Sequence, residues 1–211
     1  ILKIDKIEDL QSGDRLMTPK KHHIDTELGH LGLAPNENFG IPNPPIYRTS
    51  TILSSSMAQH RGDLPKPFTY GRRGTPTSEA FEHAVASLYK ADTCISTCSG
   101  LSAISTAILS VVKSGEHALF PDSLYGSSRH FVKTLLKDFG IEVEFYPPRI
   151  NRRITEHFKE NTRLLYLESP GSLTFEVQDV PTMSTLARKH NIVTICDDTW
   201  GTALHYPVLA L

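Results

Sequence analysis

Three short segments of this chain carry residue types that could act together. Asp197-Asp198-Thr199-Trp200 follows the apolar run Ile192-Val193-Thr194-Ile195-Cys196. A short apolar run with a polar stop predicts a strand buried on both faces of a parallel sheet. An acid where such a strand ends points into the crevice in which open α/β sheets bind ligands. Ser99-Gly100-Leu101-Ser102-Ala103 stands between an expected strand near Thr93 to Thr97 and a following helix. Small residues there leave backbone N–H groups free at a helix N-terminus, an anion site. Asp122-Ser123-Leu124-Tyr125-Gly126 follows the apolar run ending at Phe120, and Tyr125 could offer its ring to a planar ligand.

Each segment also has a plainer reading. Asp197 could cap a backbone turn, Gly100 and Leu101 could simply open a capped helix, and Tyr125 could pack on its neighbours. Their order matters more than any one of them. A phosphate site, a ring-stacking aromatic and a carboxylate on one sheet edge suit pyridoxal 5'-phosphate. The carboxylate would hold the ring nitrogen protonated and make the ring an electron sink. The glycines form no Walker loop, since no Gly-Lys-Ser/Thr follows, and no G-x-G-x-x-G occurs in the chain.

The elements that must position these residues alternate. Thr75-Pro76 opens a helix with a Thr cap and Pro at its first position, and Phe81, Ala84, Val85 and Leu88 form its apolar stripe. Leu101, Ile104, Ile108 and Val111 share one face of the next helix. Strands are expected at His117–Phe120, Glu142–Tyr146 and Leu164–Leu167, and helices at Ser127–Phe139, Ile154–Phe158 and Pro181–His190, with Gly140 as a C-terminal cap. Strand–helix alternation implies βαβ units, a mostly parallel sheet and flanking helices.

Residues 1–67 differ, carrying Pro19, Pro35, Pro42, Pro44, Pro45, Pro65 and Pro67. Proline at that density forbids long helices and central strands, so an extended arm is expected, with residues 68–211 as the folded part. Ile46-Tyr47 and Thr51-Ile52-Leu53 are apolar enough to dock on something. Tyr70-Gly71-Arg72-Arg73 ends this arm, and Arg72 could grip a phosphate. An arm that reaches a second subunit would explain its position; a solvated basic loop is the alternative.

Composition excludes several classes. The net charge is −1 over 211 residues, with no basic patch for nucleic acid. Pro19-Lys20-Lys21 and Arg152-Arg153 are too short to count as one. No apolar run approaches the roughly 18 residues of a membrane-spanning helix. Ile1-Leu2-Lys3-Ile4-Asp5 lacks the apolar core of a secretory signal and an initiator Met, so a trimmed N-terminus and a cytoplasmic location are expected. Cys94, Cys98 and Cys196 fit no closed zinc site and read as small core residues in a reducing compartment; His22-His23 reads as a solvated pair, so no metal is expected.

Tyr70-Gly71-Arg72-Arg73-Gly74-Thr75-Pro76-Thr77, Ser99-Gly100-Leu101, Asp122-Ser123-Leu124-Tyr125-Gly126, Glu168-Ser169-Pro170-Gly171-Ser172 and Asp197-Asp198-Thr199-Trp200 resemble, in order and spacing, the Cys/Met-metabolism enzymes that use pyridoxal phosphate. The resemblance covers essentially the whole chain. It implies an α/β fold of fold-type I, the aspartate-aminotransferase-like class of pyridoxal-phosphate-dependent transferases, here incomplete and preceded by the arm. The Tyr-Gly-Arg-Arg-Gly-Thr and Glu-Ser-Pro-Gly-Ser forms resemble the cystathionine β-lyase branch. The γ-branches usually read Tyr-Ser-Arg-x-x-Asn-Pro-Thr and Glu-Thr-Pro-x-Asn-Pro, where this chain has Thr75 and Ser172.

Residue by residue, the resemblance implies phosphate binding by the backbone of Gly100 and Leu101, stacking by Tyr125, and pairing of Asp197 with the pyridinium nitrogen, with Thr199 near the ring. Tyr70 and Arg72 would cross to the neighbouring subunit, Arg72 to the phosphate and Tyr70 to the reacting substrate; Tyr70 and Tyr125 are thus the catalytic candidates. Leu101 stands where many members have Met, and Asp198 where β-lyases often have Asn, which adds a negative charge near the ring. The implied reaction is β-elimination on L-cystathionine, a methionine-biosynthesis step giving homocysteine, pyruvate and ammonia, in a dimer of dimers. The family's Schiff-base lysine would fall shortly past Leu211, so these 211 residues by themselves are expected to be inactive. The open alternatives are a γ-lyase or γ-synthase and a non-catalytic member that only dimerises.

Overall fold

The computed structural model describes residues 23–210. Its sheet has strands β1 (His117–Pro121), β2 (Glu142–Tyr146), β3 (Thr162–Glu168) and β4 (Val193–Asp197). They lie in the order β2-β1-β3-β4, and every neighbouring pair is parallel. The helices are α1 (Ile24–His30), α2 (Met57–Arg61), α3 (Pro76–Tyr89), α4 (Gly100–Val111), α5 (Gly126–Lys133), α6 (Leu135–Asp138), α7 (Val180–Lys189) and α8 (Thr202–His205). A 3-10 helix spans Asn151–His157, where the sequence suggests a short helix over Ile154–Phe158.

The apolar runs of β1 and β3 are explained by burial on both faces. Ala118, Phe120, Leu164 and Tyr166 pack with Ile108 of α4, Val132 of α5 and Leu136 of α6. Leu119, Leu165 and Leu167 point the other way, onto Val180, Met183 and Ala187 of α7. Each such side chain contributes about 1.5–3 kcal/mol when fully buried. These two cores hold the carboxyl ends of β3 and β4 level, in register from Leu164–Val193 to Glu168–Asp197.

Several sequence expectations need correction. No strand forms over Thr93–Thr97. Ile95 is 80% exposed, and the Ser96 N–H and hydroxyl donate to the Glu82 carboxylate at 2.8 and 2.6 Å instead of to a ladder. Strand propensity is expressed only against a neighbouring strand, and the described residues supply none here. The helix expected over Ser127–Phe139 divides at Thr134, whose hydroxyl donates to the His130 carbonyl at 2.8 Å, a local bond that competes with the helical ladder. Gly140 ends it in the left-handed region, at φ +73°. The stripe on α3 does not form its buried face: Phe81 is 59% exposed and only Ala86 is buried. That helix lies mainly against α8 and the Val208–Ala210 turn, not against the sheet. Cys98 is exposed rather than core, while Cys94 and Cys196 are half-buried; all three are free thiols.

From residue 23 to 67 no residue is buried, and Ile46, Tyr47 and Leu53 are exposed. This stretch is held by polar contacts instead. The Tyr47 N–H donates to Thr77 Oγ1 at 2.9 Å, and the Thr77 hydroxyl donates to the Pro45 carbonyl at 2.6 Å. His23 caps α1, accepting from the Asp25 N–H, while His22 and Pro19-Lys20-Lys21 lie outside the described residues. Among the described residues no helix is long and apolar enough to cross a membrane.

Candidate cofactor site at the carboxyl edge of the sheet

A cavity of about 960 Å³ opens at the carboxyl edge of β3 and β4 and is lined by Gly100, Leu101, Tyr125, Glu168, Asp197 and Thr199, among others. The structure therefore brings together five of the residues singled out from sequence. Tyr70 and Arg72 do not line it; Tyr70 sits at an isolated bridge with Thr51, and Arg72 is exposed beside it.

One wall is the start of α4. Ser99 caps it, its hydroxyl accepting the Ser102 N–H at 3.1 Å. The N–H groups of Gly100 and Leu101 precede the first intrahelical bond and remain without a partner, so they and the helix dipole favour an anion. The facing wall is the turn that carries Tyr125, a residue 46% exposed. A loop over residues 171–175 and Trp200 close the rim, with the Phe175 and Trp200 rings edge to face at 5.0 Å. Leu173 and Phe175 both hold positive φ, at +63° and +53°, a conformation uncommon for side-chain-bearing residues and found where a loop is over-determined by its surroundings.

The floor is acidic. Asp197 Oδ1 accepts the Thr199 N–H at 3.0 Å and the Thr199 hydroxyl at 2.6 Å. Oδ2 has only the Tyr166 hydroxyl, at 3.5 Å. Asp197 thus caps a turn with one oxygen, as one of its two sequence readings expects, and this leaves the other oxygen available to a ligand. Glu168 beside it is buried, and burial pushes its carboxyl above the ordinary carboxylate value. Asp198 does not face the cavity: the Tyr89 hydroxyl lies 3.0 Å from each of its oxygens. Burial, then that hydrogen bond, pushes the Tyr89 phenol up to about 12, and burial also raises Asp198. The negative charge expected near the ring from Asp198 is therefore directed to α3.

No Lys, Arg or His lines the cavity among the described residues, and none forms a salt bridge with Glu168, Asp197 or Asp198. An acidic floor with one open acceptor and no cation suits a ligand that brings its own positive N–H. Unpaired helix N–H groups on the wall suit a phosphate on the same ligand. Pyridoxal phosphate carries both, with a flat ring between them for Tyr125. The residues present fit that group.

Glu168, Ile104, Leu173 and Phe175 also line the cavity, although none of them is a site residue expected from the sequence. Glu168 carries the same sequence signal as Asp197, since it too ends an apolar strand. The loop residues carry no such signal.

The chain is similar to several known proteins. A protein of Rhizobium johnstonii, provisionally named cystathionine β-lyase, is 42% identical over 87% of this chain and 46% of its own length. The cystathionine β-lyase of Bordetella avium is 36% identical over 90% of this chain and 50% of its own. The solved cystathionine γ-lyase of Lactobacillus plantarum superposes with a TM-score of 0.79 at 25% identity, over 86% of this chain and 46% of that one. The chain spans about half the length of the relatives it matches. Its fold is that of the fold-type I pyridoxal-phosphate enzymes, with a parallel sheet and flanking helices. Residues 25–211 match the model of the Cys/Met metabolism PLP-dependent enzymes, and the chain belongs to that family.

Proposed function

We propose that the whole protein is a pyridoxal-phosphate-dependent carbon–sulfur lyase that cleaves L-cystathionine by β-elimination into homocysteine, pyruvate and ammonia. One observation carries the reading: free N–H groups at the start of α4 and the open oxygen of Asp197 border one cavity, with the Tyr125 ring on its wall. When bound, the cofactor supplies an electron sink for the bonds at the α-carbon of an amino acid. Gly100 and Leu101 would hold its phosphate through their N–H groups, and Tyr125 would offer its ring face to the pyridine ring. Asp197 Oδ2 would accept the ring N–H and keep that proton in place, while Thr199 fixes Oδ1.

The cavity supplies no cation for a phosphate dianion from its own described residues. Arg72 of a second copy fills that role, and Tyr70 beside it meets the reacting amino acid. In this reading residues 1–67 form an arm that crosses to the partner, residues 68–211 hold the cofactor, and the assembly is a dimer of dimers in the cytoplasm, serving methionine biosynthesis. The motifs around Thr75 and Ser172, and the β-lyase names of the relatives above, favour β- over γ-elimination. The test is product analysis of the whole protein supplied with pyridoxal phosphate and L-cystathionine. Pyruvate and homocysteine are expected. 2-Oxobutyrate and cysteine would assign a γ-lyase instead, and no turnover would leave a non-catalytic member.

A further inference from the structure

We infer that Glu168 is a positioning residue that sets the spacing of the two cavity walls, each carboxylate oxygen holding one of them. The inference rests on the cofactor reading above. Glu168 is 3% exposed and has no cation partner. Its Oε2 accepts the Tyr125 N–H at 2.9 Å and its Oε1 accepts the Ser172 N–H at 2.8 Å, an N–H shared with the Ser123 carbonyl at 3.0 Å. Tyr125 belongs to the ring-bearing wall and Ser172 to the loop that carries Leu173 and Phe175. The base of this bracket is itself held: the Glu168 N–H donates to Gln178 Oε1 at 2.9 Å, and Gln178 Nε2 donates to the Tyr146 hydroxyl at 3.2 Å.

The chemistry asks for a carboxylate. One N–H donor falls on each oxygen, so both oxygens must accept. A neutral amide has one acceptor and would turn its NH2 toward the other donor. A protonated carboxyl would likewise turn an O–H toward one of them. The ionisable groups around Glu168 are Asp197 and Cys196 on β4, Tyr166 on β3 and Tyr146 on β2, and none is a cation. The Tyr125 N–H and the hydroxyl and N–H of Ser172, not a salt bridge, hold the charge. Burial raises this carboxyl, so the bracket opens as pH falls through a range above that of ordinary carboxylates, and the charged form is needed for the closed one.

The test uses the full chain and pyridoxine 5'-phosphate, which has the ring and phosphate but no aldehyde to react with stray lysines. Trp200, the one tryptophan of the chain, lines the cavity and reports binding by quenching of its emission. In wild type, affinity is expected to fall on acidification beyond what titration of the ligand's phosphate causes. E168Q is expected to bind about tenfold more weakly near pH 8 and to lack that extra fall. Independently of any variant, the amide protons of Tyr125 and Ser172 are expected to shift together by NMR, with one midpoint matching the fall in affinity. E168Q with wild-type affinity and pH profile, or amides that titrate apart or not at all, would overturn the inference. Co-titrating amides in a wild type that fails to bind the probe would support the bracket and refute the cofactor reading instead.

Discussion

Glu168 and Asp197 are register partners at the ends of β3 and β4, so two carboxylates stand side by side on one sheet edge. Packing gives them different work. Glu168 is buried with both oxygens tied to backbone N–H groups, whereas Asp197 keeps Oδ2 open to the cavity. Neighbouring like charges without a cation raise the affinity of the edge for a positively charged ring N–H.

In the proposed reading, replacing Asp197 by Asn removes the charge that would keep the ring nitrogen protonated. A hydrogen bond to a charged group contributes about 1.5–3 kcal/mol, so affinity for pyridoxine 5'-phosphate is expected to fall roughly 10- to 100-fold. The absorbance of the bound ligand should also shift to that of the neutral ring. Unchanged affinity and spectrum in D197N would remove Asp197 from the site.

Tyr125 is predicted to act through its ring face. Aromatic pairs contribute about 0.5–1.5 kcal/mol beyond area burial, so Y125A should weaken binding by up to about tenfold, while Y125F stays close to wild type. Titration of both variants by Trp200 quenching checks this. Equal losses in the two would point to the hydroxyl instead.

Gly171 is required by a close approach of two chain segments. A Cβ there would meet Ser123 Oγ at 2.5 Å and Ser123 Cβ at 2.6 Å. G171A is expected to lower stability by about 1–3 kcal/mol, as overpacking does. Adding S123G should restore much of the loss in thermal unfolding; no rescue would show that the strain lies elsewhere.

The Tyr89–Asp198 contact predicts an alkaline effect. Tyr89 is raised from 10.0 to about 12, so its contribution is fully present below pH 10 and is lost as pH rises through about 12. Chemical denaturation should show Y89F less stable than wild type near neutral pH, with the gap closing across that window. A constant gap would mean that the phenol's ionisation does not matter.

His117 predicts an acid effect at the opposite edge of the sheet. It is fully buried, with Nδ1 2.8 Å from Thr162 Oγ1. Burial first, and then the Lys159 ammonium, hold the imidazole below its ordinary value of 6.5, against the opposing pull of Glu142 and Glu144. The unfolded chain therefore binds the proton more readily, and stability should be full above pH 6.5 and decline below it. Denaturation midpoints at about pH 7 and pH 5 should converge in H117Q relative to wild type.

Much of the architecture was legible because its cause is local. Leu164 to Leu167 reads as a buried strand since its own alternation fills both cores, and Thr75-Pro76 reads as a helix start since cap and φ are set within the turn. Thr93 to Thr97 failed because a strand needs a partner, and propensity says nothing of whether one is present. Phe81 failed for a related reason: periodicity marks an apolar face but not what lies opposite.

The candidate site divides in the same way. The order of Gly100, Tyr125 and Asp197 was set by the chain, and parallel βαβ units carry the strand ends that lead to Tyr125 and Asp197 to one edge; Gly100 reaches that edge at the start of α4 with no strand before it among the described residues. The packing of the sheet decided which acid stays open. Glu168 meets the N–H of Tyr125, 43 residues earlier, and Asp198 meets Tyr89, 109 residues earlier, so both carboxylates are committed by contacts no local pattern encodes. Asp197 meets Thr199, two residues on, with one oxygen and leaves the other to the cavity with only the Tyr166 hydroxyl near it, at 3.5 Å. Residue type and order came from the sequence; burial and distance, which follow from where distant segments come to rest, chose among three acids at the strand ends.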